Sequence, residues 1–480
     1  MRTPDFPAFQ APFATAARRL RRVADQPLHH FQLLFGPLLP PELLAPAEEG
    51  RFSRQRLWPL RLTFLSFLWQ VAQVGASCRA AVDEVIALCH LEGRPAPDRE
   101  SGAYCTARKD LPLAWFDDLH RAVVRGAEAL VREADQWCGL RVRVADGTTV
   151  TMADTPLNQA AYRQQNVQAP GCGFPIMRVL AFFCLGAGLI THWATGTWYQ
   201  HELSLLGQLL PHLGPKDVLL GDRGFGNYSV LAQCARRGVH AVFRANTAKR
   251  RIDFRGGKRL GPGDRLVTWK RGPKMPTYLD PAEWALWPLT LEVRVVKLSV
   301  RLRGMRTRQL ILVTNLLDPV RYPAAALGEL YLRRWRMELC FRDLKTSLGM
   351  EHLDCKSPEM AERALRMHLL LHNLVRRLAL DAARRHGVAA ERMSFVGTLG
   401  KARSCAEMLG RVRGRARRAG LVEKLYREIA GDPVPWRPGR REPRALKRRP
   451  KPYPLLTRHR RLYREIPHRN RYQAAANPRK

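Results

Sequence analysis

Along the first part of the chain, apolar residues recur three and four positions apart. ARRLRRVADQ, LTFLSFLWQVAQV, CRAAVDEVIALCHL and WFDDLHRAVVRGAEALVREADQW carry this spacing between about residues 15 and 137, which predicts helices. The period then changes to two. LRVRVADGTTVTM (Leu140 to Met152) alternates as a half-buried strand does, and PIMRVLAFFCLGAGLITHWATGTW reads as two more strands joined near Gly186 to Gly188. HELSLLGQLLPHL is a short helix stopped by Gly214 and Pro215. DVLLGDRGF is an apolar strand ending in a glycine-rich turn, NYSVLAQCARRG a helix and VHAVFRAN a strand. The order β-β-β-α-β-α-β predicts an α/β fold, a mixed sheet flanked by helices.

Residues 247–310 break that rhythm. GGKRLGPGDRLVTWKRGPK is turn-rich and LTLEVRVVKLSVRLR alternates strictly, so an all-β element with a basic surface is expected there. QLILVTNLLD returns to the core pattern. Long helices are predicted from Ala324 to about Gly349 and from Pro358 to His386, with more helix to Gly431. From 431 onward there are 16 Lys/Arg against 3 Asp/Glu, and WRPGRREPRALKRRPKPYP reads as extended and disordered on its own.

Charge narrows the partner. A formal net charge of +39 over 480 residues lies far outside the range of ordinary enzymes, and nucleic acid is the commonest polyanion to answer it. Ribosomal and membrane-surface proteins are the plainer alternatives. VLAFFCLGAGLI is too short to cross a bilayer, and MRTPDFPAFQ lacks the apolar run of a secretory signal. The ten cysteines are scattered without metal-ligating spacing, as expected of reduced, buried thiols in a cytoplasmic protein.

YLRRWRMELCFRDLK then becomes informative. At 3.6 residues per turn, Tyr331, Arg334, Glu338, Arg342 and Lys345 fall within a sector of about 80°. Apolar residues flank this stripe: Leu332, Trp335 and Leu339 on one side, Met337, Phe341 and Leu344 on the other. A polar stripe with apolar neighbours on both sides should face something polar inside; a solvated helix with i,i+4 ion pairs is the alternative. Asp146, before Gly147 and Thr148, and Asp222, before Arg223 and Gly224, are read as sitting where strands end. Carboxylates at strand ends can converge in a crevice at a sheet edge. Three of them without cations would raise each other's pKa, and oxygen-only ligation suits Mg²⁺ or Mn²⁺. Each aspartate alone is more often just a turn residue; the combination carries the force.

With these residues in view, the chain resembles the DDE-type insertion-sequence transposases of the bacterial cut-and-paste branch. That branch is marked by Tyr-x2-Arg-x3-Glu-x6-Lys, matched here by Tyr331, Arg334, Glu338 and Lys345 with every spacing kept. DGTTVTMADTPLNQ and GDRGF match the first and second acid motifs, and CRAAV…SGAYCTARKDLP, TNLLD and EPRALKRRPKPYPLLT also look like this family. The resemblance implies an RNase H-like catalytic domain with a β-rich insert before the glutamate. It implies that Asp146, Asp222 and Glu338 hold two Mg²⁺ ions, replaceable by Mn²⁺, while Tyr331, Arg334 and Lys345 contact DNA phosphates. It further implies a homodimer that pairs two terminal inverted repeats, cleaves them through hairpin ends and joins them to target DNA.

The expected organisation is a helical DNA-binding region (1–137), a catalytic core in two parts (138–246 and 311–354), the β-rich insert (247–310), a helical C-terminal region (355–430) and a basic tail (431–480). No clear helix-turn-helix is present. An inactive DNA-binding descendant and a nuclease that cuts without joining are the alternatives; the intact triad argues against the first. Relatives implied by the resemblance stack a Trp of the insert on a flipped base, and Trp269, Trp284 and Trp287 are candidates, each read more readily as core. Glu202 can approach the metals but better suits the helix N-terminus. Arg223 suits phosphate or an ion pair equally, and Arg342 an ion pair before phosphate. The tail is either a sequence-independent DNA contact or simply a basic end.

Overall fold

The computed structural model describes residues 29–46, 49–53, 57–133, 136–248, 252–300, 309–435 and 456–463. The first predicted helix, ARRLRRVADQ, and most of the basic tail lie outside them.

Five helices come first: α1 (His30–Phe35), α2 (Leu60–Ala72), α3 (Cys78–Glu92), α4 (Gly102–Lys109) and α5 (Leu113–Glu128). In α2 ten of thirteen residues are buried, because apolar residues surround the helix instead of forming one stripe. Ser77 caps α3, its hydroxyl accepting the Ala80 N–H. The predicted run to residue 137 stops at Glu128.

Next come β1 (Arg141–Met152), α6 (Pro156–Ala161), β2 (Ile176–Cys184), β3 (Ile190–Thr197), α7 (Glu202–Leu209), β4 (Asp217–Gly221), α8 (Tyr228–Arg236) and β5 (His240–Arg244). The stretch expected as the insert holds β6 (Lys258–Gly261), β7 (Asp264–Lys270), α9 (Pro281–Ala285) and β8 (Thr290–Ser299), and QLILVT, expected to return to the core, forms β9 (Gln309–Thr314). After it follow α10 (Ala324–Arg333), α11 (Arg336–Arg342), a π-helical turn Asp343–Ser347, and β10 (His352–Leu353). Three helices close the described chain: α12 (Pro358–Arg385), α13 (Phe395–Arg411) and α14 (Arg415–Ala430).

All strands join one ten-stranded sheet in the order β3-β2-β1-β4-β5-β9-β8-β7-β6, with β10 pairing β1 off that path. β1 is antiparallel to β2 and parallel to β4, and β4 is parallel to β5. Helices flank this mixed α/β sheet. The insert is not a detached body: β9 lies between β5 and β8, so the inserted strands lengthen the core sheet. At its far side Arg294, fully buried on β8, donates Nε–H to Asp264 Oδ1 (2.9 Å) and Nη1–H to the Tyr322 carbonyl (2.7 Å).

The N- and C-terminal helices form one layer on one sheet face. α2, α5, α12 and α13 share a core with Val142, Val144, Val218, Leu220 and Val242. The opposite face, with Ala145, Leu219, Ala241 and Phe243, packs against α7 and α8. No helix among the described residues is long and apolar enough to cross a membrane.

Candidate active site

Asp146 does not end its strand. It stands in the middle of β1, paired with Ala181 of β2, correcting the strand-end expectation. What ends there is the neighbour. The β1–β4 ladder stops at Val144↔Leu220, and pairing on that edge of β1 resumes at Thr151↔His352 of β10. Between these points the edge of β1 is open, leaving a crevice bounded by the end of β4 and by β10.

Continuing the register two residues past Val144↔Leu220 sets Asp146 beside Asp222. Gly221↔Phe243 likewise sets Arg244 next to Asp222. The three follow Val144, Leu220 and Val242 at alternate positions, so their side chains share the face those residues occupy. α11 covers the same face: Met337, Cys340, Phe341 and Leu344 belong to the same core, and Glu338 rides on that helix. The turn after Asp222 is held tight by glycine. Asp222 Oδ1 accepts the Gly224 N–H at 2.7 Å, and a Cβ on Gly226 would lie 2.3 Å from the Arg244 carbonyl oxygen.

The helix carrying the Tyr-Arg-Glu-Lys motif is not continuous. It breaks at Arg334–Trp335, and its end unwinds into the π turn that holds Lys345. The straight stripe expected over residues 331–345 is therefore bent. Tyr331 and Arg334 are buried, Glu338 is about half exposed (49% for its side chain) and Lys345 is partly exposed. Trp335 and Leu339, expected as an inner flank, are 48% and 47% exposed beside Glu338.

Electrostatics tie the set together. Asp146 is pushed up to about 6, first by burial, then by the charges of Asp222 and Glu338; Arg334 and the Gly147 N–H oppose the shift. That N–H donates to Asp146 Oδ1 at 3.1 Å. Arg334 Nη2 lies 3.6 Å from Glu338 Oε1, and its guanidinium packs 5.8 Å from the Tyr331 ring centroid. Burial raises the Tyr331 hydroxyl, while Arg334 and Arg244 oppose the rise. The structure thus brings Asp146, Asp222, Glu338, Tyr331 and Arg334 into one electrostatic neighbourhood. It shows no direct contact between Lys345 and the acids.

Among the described residues no group of three or more His, Cys, Asp or Glu stands close enough to hold a metal ion. Asp222 and Glu338 each bear on Asp146 across the crevice, with Arg334 opposing them and Arg244 beside Tyr331. The donor set suits a hard divalent cation in kind: all three groups are carboxylates, and burial already lifts the Asp146 carboxyl above its usual range, a rise that a bound cation would reverse.

Other expectations resolve differently. Trp269 and Trp287 are buried in the core between insert and catalytic sheet, and Trp284 is partly buried under Arg271, 4.6 Å from its ring centroid. Glu202 opens α7 across β1 from Asp146, with Arg178 Nη1 at 3.8 Å, as suits the helix N-terminus. Arg223 is exposed and makes no ion pair among the described residues. Arg342 is 63% exposed, a loose 3.9 Å from Asp343, whose closer partner is Arg376 at 2.8 Å. All ten cysteines are free; five are buried and Cys138 is exposed. Arg244 is the residue the sequence reading missed, and the signal was present: a cation ending VHAVFRAN, the strand after the second acid.

A family profile described as "Transposase DDE domain" matches residues 137–374, a span that contains all three carboxylates. The Escherichia coli K12 protein "Transposase InsG for insertion sequence element IS4" is 29% identical over 326 residues, 66% of this chain and 70% of the relative. "Putative transposase InsZ" of the same organism is 26% identical over 221 residues, 45% of this chain and 66% of the relative. Among solved structures, a piggyBac transposase synaptic complex with hairpin DNA aligns with a TM-score of 0.40 at 10% identity, covering 83% of this chain and 84% of that one.

Proposed function

The chain belongs to the DDE-type insertion-sequence transposases, and from that premise we propose that it binds the terminal inverted repeats of its element, cleaves them by two-metal phosphodiester hydrolysis through hairpin ends, and joins them to target DNA. What carries the reading is the mutual electrostatic reach of Asp146, Asp222 and Glu338 in the open edge of β1, with Arg334 among them.

Asp146, Asp222 and Glu338 would hold two Mg²⁺ ions, with Mn²⁺ as substitute. Such a pair supplies activation of the attacking oxygen and stabilisation of the leaving one. The chain's own residues do the rest. Two carboxylates are fixed by adjacent strands, so their spacing is set by the sheet, while Glu338 closes the site from α11. Arg334 offers a planar fork to a phosphate, Lys345 a point charge, and Tyr331 a hydroxyl beside them. Arg244, Arg223 and Arg342 add cations around the scissile phosphate.

Two subunits would synapse a pair of ends on the bacterial nucleoid, with the N-terminal helical region holding the repeats and the basic tail adding sequence-independent contact. The test uses labelled terminal repeats with Mg²⁺. The parent yields nicks, hairpins and joined products; Glu338→Gln binds with parental affinity and cuts nothing. Cutting by that variant at the parental rate would refute the triad. Binding without cleavage by the parent in Mg²⁺ or Mn²⁺ would leave only a DNA-binding protein, and cleavage without joining a nuclease.

A further inference from the structure

β1 outlasts β4, and the chain that follows makes a second feature. The excursion from Ala153 to Pro175, between β1 and β2, leaves the sheet at the same end as the carboxyl termini of β4 and β5. The six residue steps from Asp146 to Met152 span about 20 Å of strand, which is about six base pairs of duplex. The excursion follows β1 beyond the open edge that holds Asp146.

Its shape is fixed by two glutamines. Gln164 Nε2–H donates to the carbonyls of Gln168 (3.1 Å) and Ala169 (3.0 Å), while its Oε1 accepts the N–H groups of Gly171 (3.0 Å) and Gly173 (3.1 Å). Gln159 Nε2–H donates to Asp154 Oδ1 and the Gly173 carbonyl, both at 2.9 Å. The Tyr199 hydroxyl ties the loop to the end of β3 through the Gln164 carbonyl, 2.9 Å away.

Part of the tail seats on this frame. His459 occupies the place a side chain at position 171 would fill: a Cβ on Gly171 would lie 2.5 Å from His459 Cδ2, and φ there is +76°. Between loop and tail is a cleft of about 810 Å³. Its groups divide cleanly. Gln159 and Gln164 spend their amides on the frame, whereas the side chains of Arg163, Gln165 and Gln168 have no partner among the described residues. Arg461 joins them from the tail, its Nε–H donating to His459 Nδ1 at 3.2 Å. The one carboxylate in the lining, Asp154, already accepts from Gln159.

Unspent guanidinium groups beside unspent amides suit duplex DNA, since arginine holds phosphates while glutamine amides match base edges. We infer that this cleft grips the duplex about six base pairs from the scissile phosphate, Arg163 and Arg461 on the backbone and Gln165 and Gln168 on base edges. The assignment rests on the transposase reading of the crevice.

Fluorescence anisotropy of the full-length protein tests it with two probes: a duplex carrying the terminal repeat that flanks the coding sequence, and an unrelated duplex. For Arg163→Ala/Gln168→Ala, affinity should fall about tenfold and the salt dependence should lose about one phosphate contact. Gly171→Ala, which displaces His459, should weaken binding in the same direction. A loss confined to the repeat assigns the cleft to transposon ends; a loss with both duplexes assigns it to target DNA as well. Parental affinity and salt slope for both duplexes in both variants would overturn the inference. Glu338-dependent cleavage, measured in single turnover at saturating DNA, reports separately on the triad, so the two failures are distinguishable.

Discussion

Asp146→Asn should stabilise the metal-free protein, although it removes a residue the proposed reaction needs. Burial and the neighbouring carboxylates lift Asp146 from 3.8 to about 6. A raised folded-state pKa means that the fold favours the protonated acid. Above pH 6 both folded and unfolded chains carry the carboxylate, and the fold bears its whole cost; below pH 3.8 both are protonated and the cost disappears. The shift of 6 − 3.8 = 2.2 is worth about 3 kcal/mol at about 1.4 kcal/mol per unit. Asparagine keeps the shape of the protonated acid and an oxygen to accept the Gly147 N–H, but does not ionise. The variant should therefore gain about 3 kcal/mol at pH 8 and about half that at pH 5. Guanidinium unfolding in excess chelator at both pH values measures it, provided the slope against denaturant is unchanged. Added Mg²⁺ should then raise the parental midpoint and leave that of the variant in place. No gain at pH 8, or a gain that does not shrink towards pH 5, refutes the claim that burial holds the Asp146 carboxyl above its usual range.

Three further outcomes follow from particular contacts. Asp264→Ala leaves the fully buried Arg294 guanidinium without its carboxylate and should cost about 3–5 kcal/mol in the same unfolding assay. His120 is buried against the Ile190 carbonyl at 2.8 Å and lowered to about 4 by burial. Its neutral form supports the fold fully above pH 6.5, and that support is lost as pH falls towards 4, so His120→Gln should flatten the acid limb of the stability profile by about 3 kcal/mol. DNA affinity should fall steeply as salt rises, through counterion release, and a flat salt response would remove nucleic acid as the partner.

Most strands and helices of the catalytic core were legible because their signals are local. Alternation in LRVRVADGTTVTM, the Gly186 to Gly188 turn and the Gly214–Pro215 stop each act within a few residues. The position of Asp146 was not, because alternation continues straight through it. What makes that point special is the departure of β4, a strand more than sixty residues away in sequence. The break at Arg334–Trp335 contains no glycine or proline, so no local rule marks it. Arg334 there is buried among Tyr331, Glu338 and the charge of Asp146, and tertiary contact overrides helix propensity. Motif spacing survived this error: Tyr331, Arg334 and Glu338 still meet, because the break falls between turns that each keep their own neighbours.

Global and local charge do different work in this molecule. The chain carries +39, yet its crevice gathers three carboxylates with Arg334 and Arg244 beside them. Long-range attraction of a polyanion depends on the sum, which the loss of one acid changes only from +39 to +40. Locally the carboxylates are the exception to that excess, and Arg334 already offsets part of their charge. On the proposed mechanism, binding and cleavage are separable through this charge pattern. Substitution of Glu338 should abolish cleavage and spare binding, and a chelator should stop chemistry while leaving most of the affinity, because counterion release draws on the excess of arginines and lysines over the whole chain.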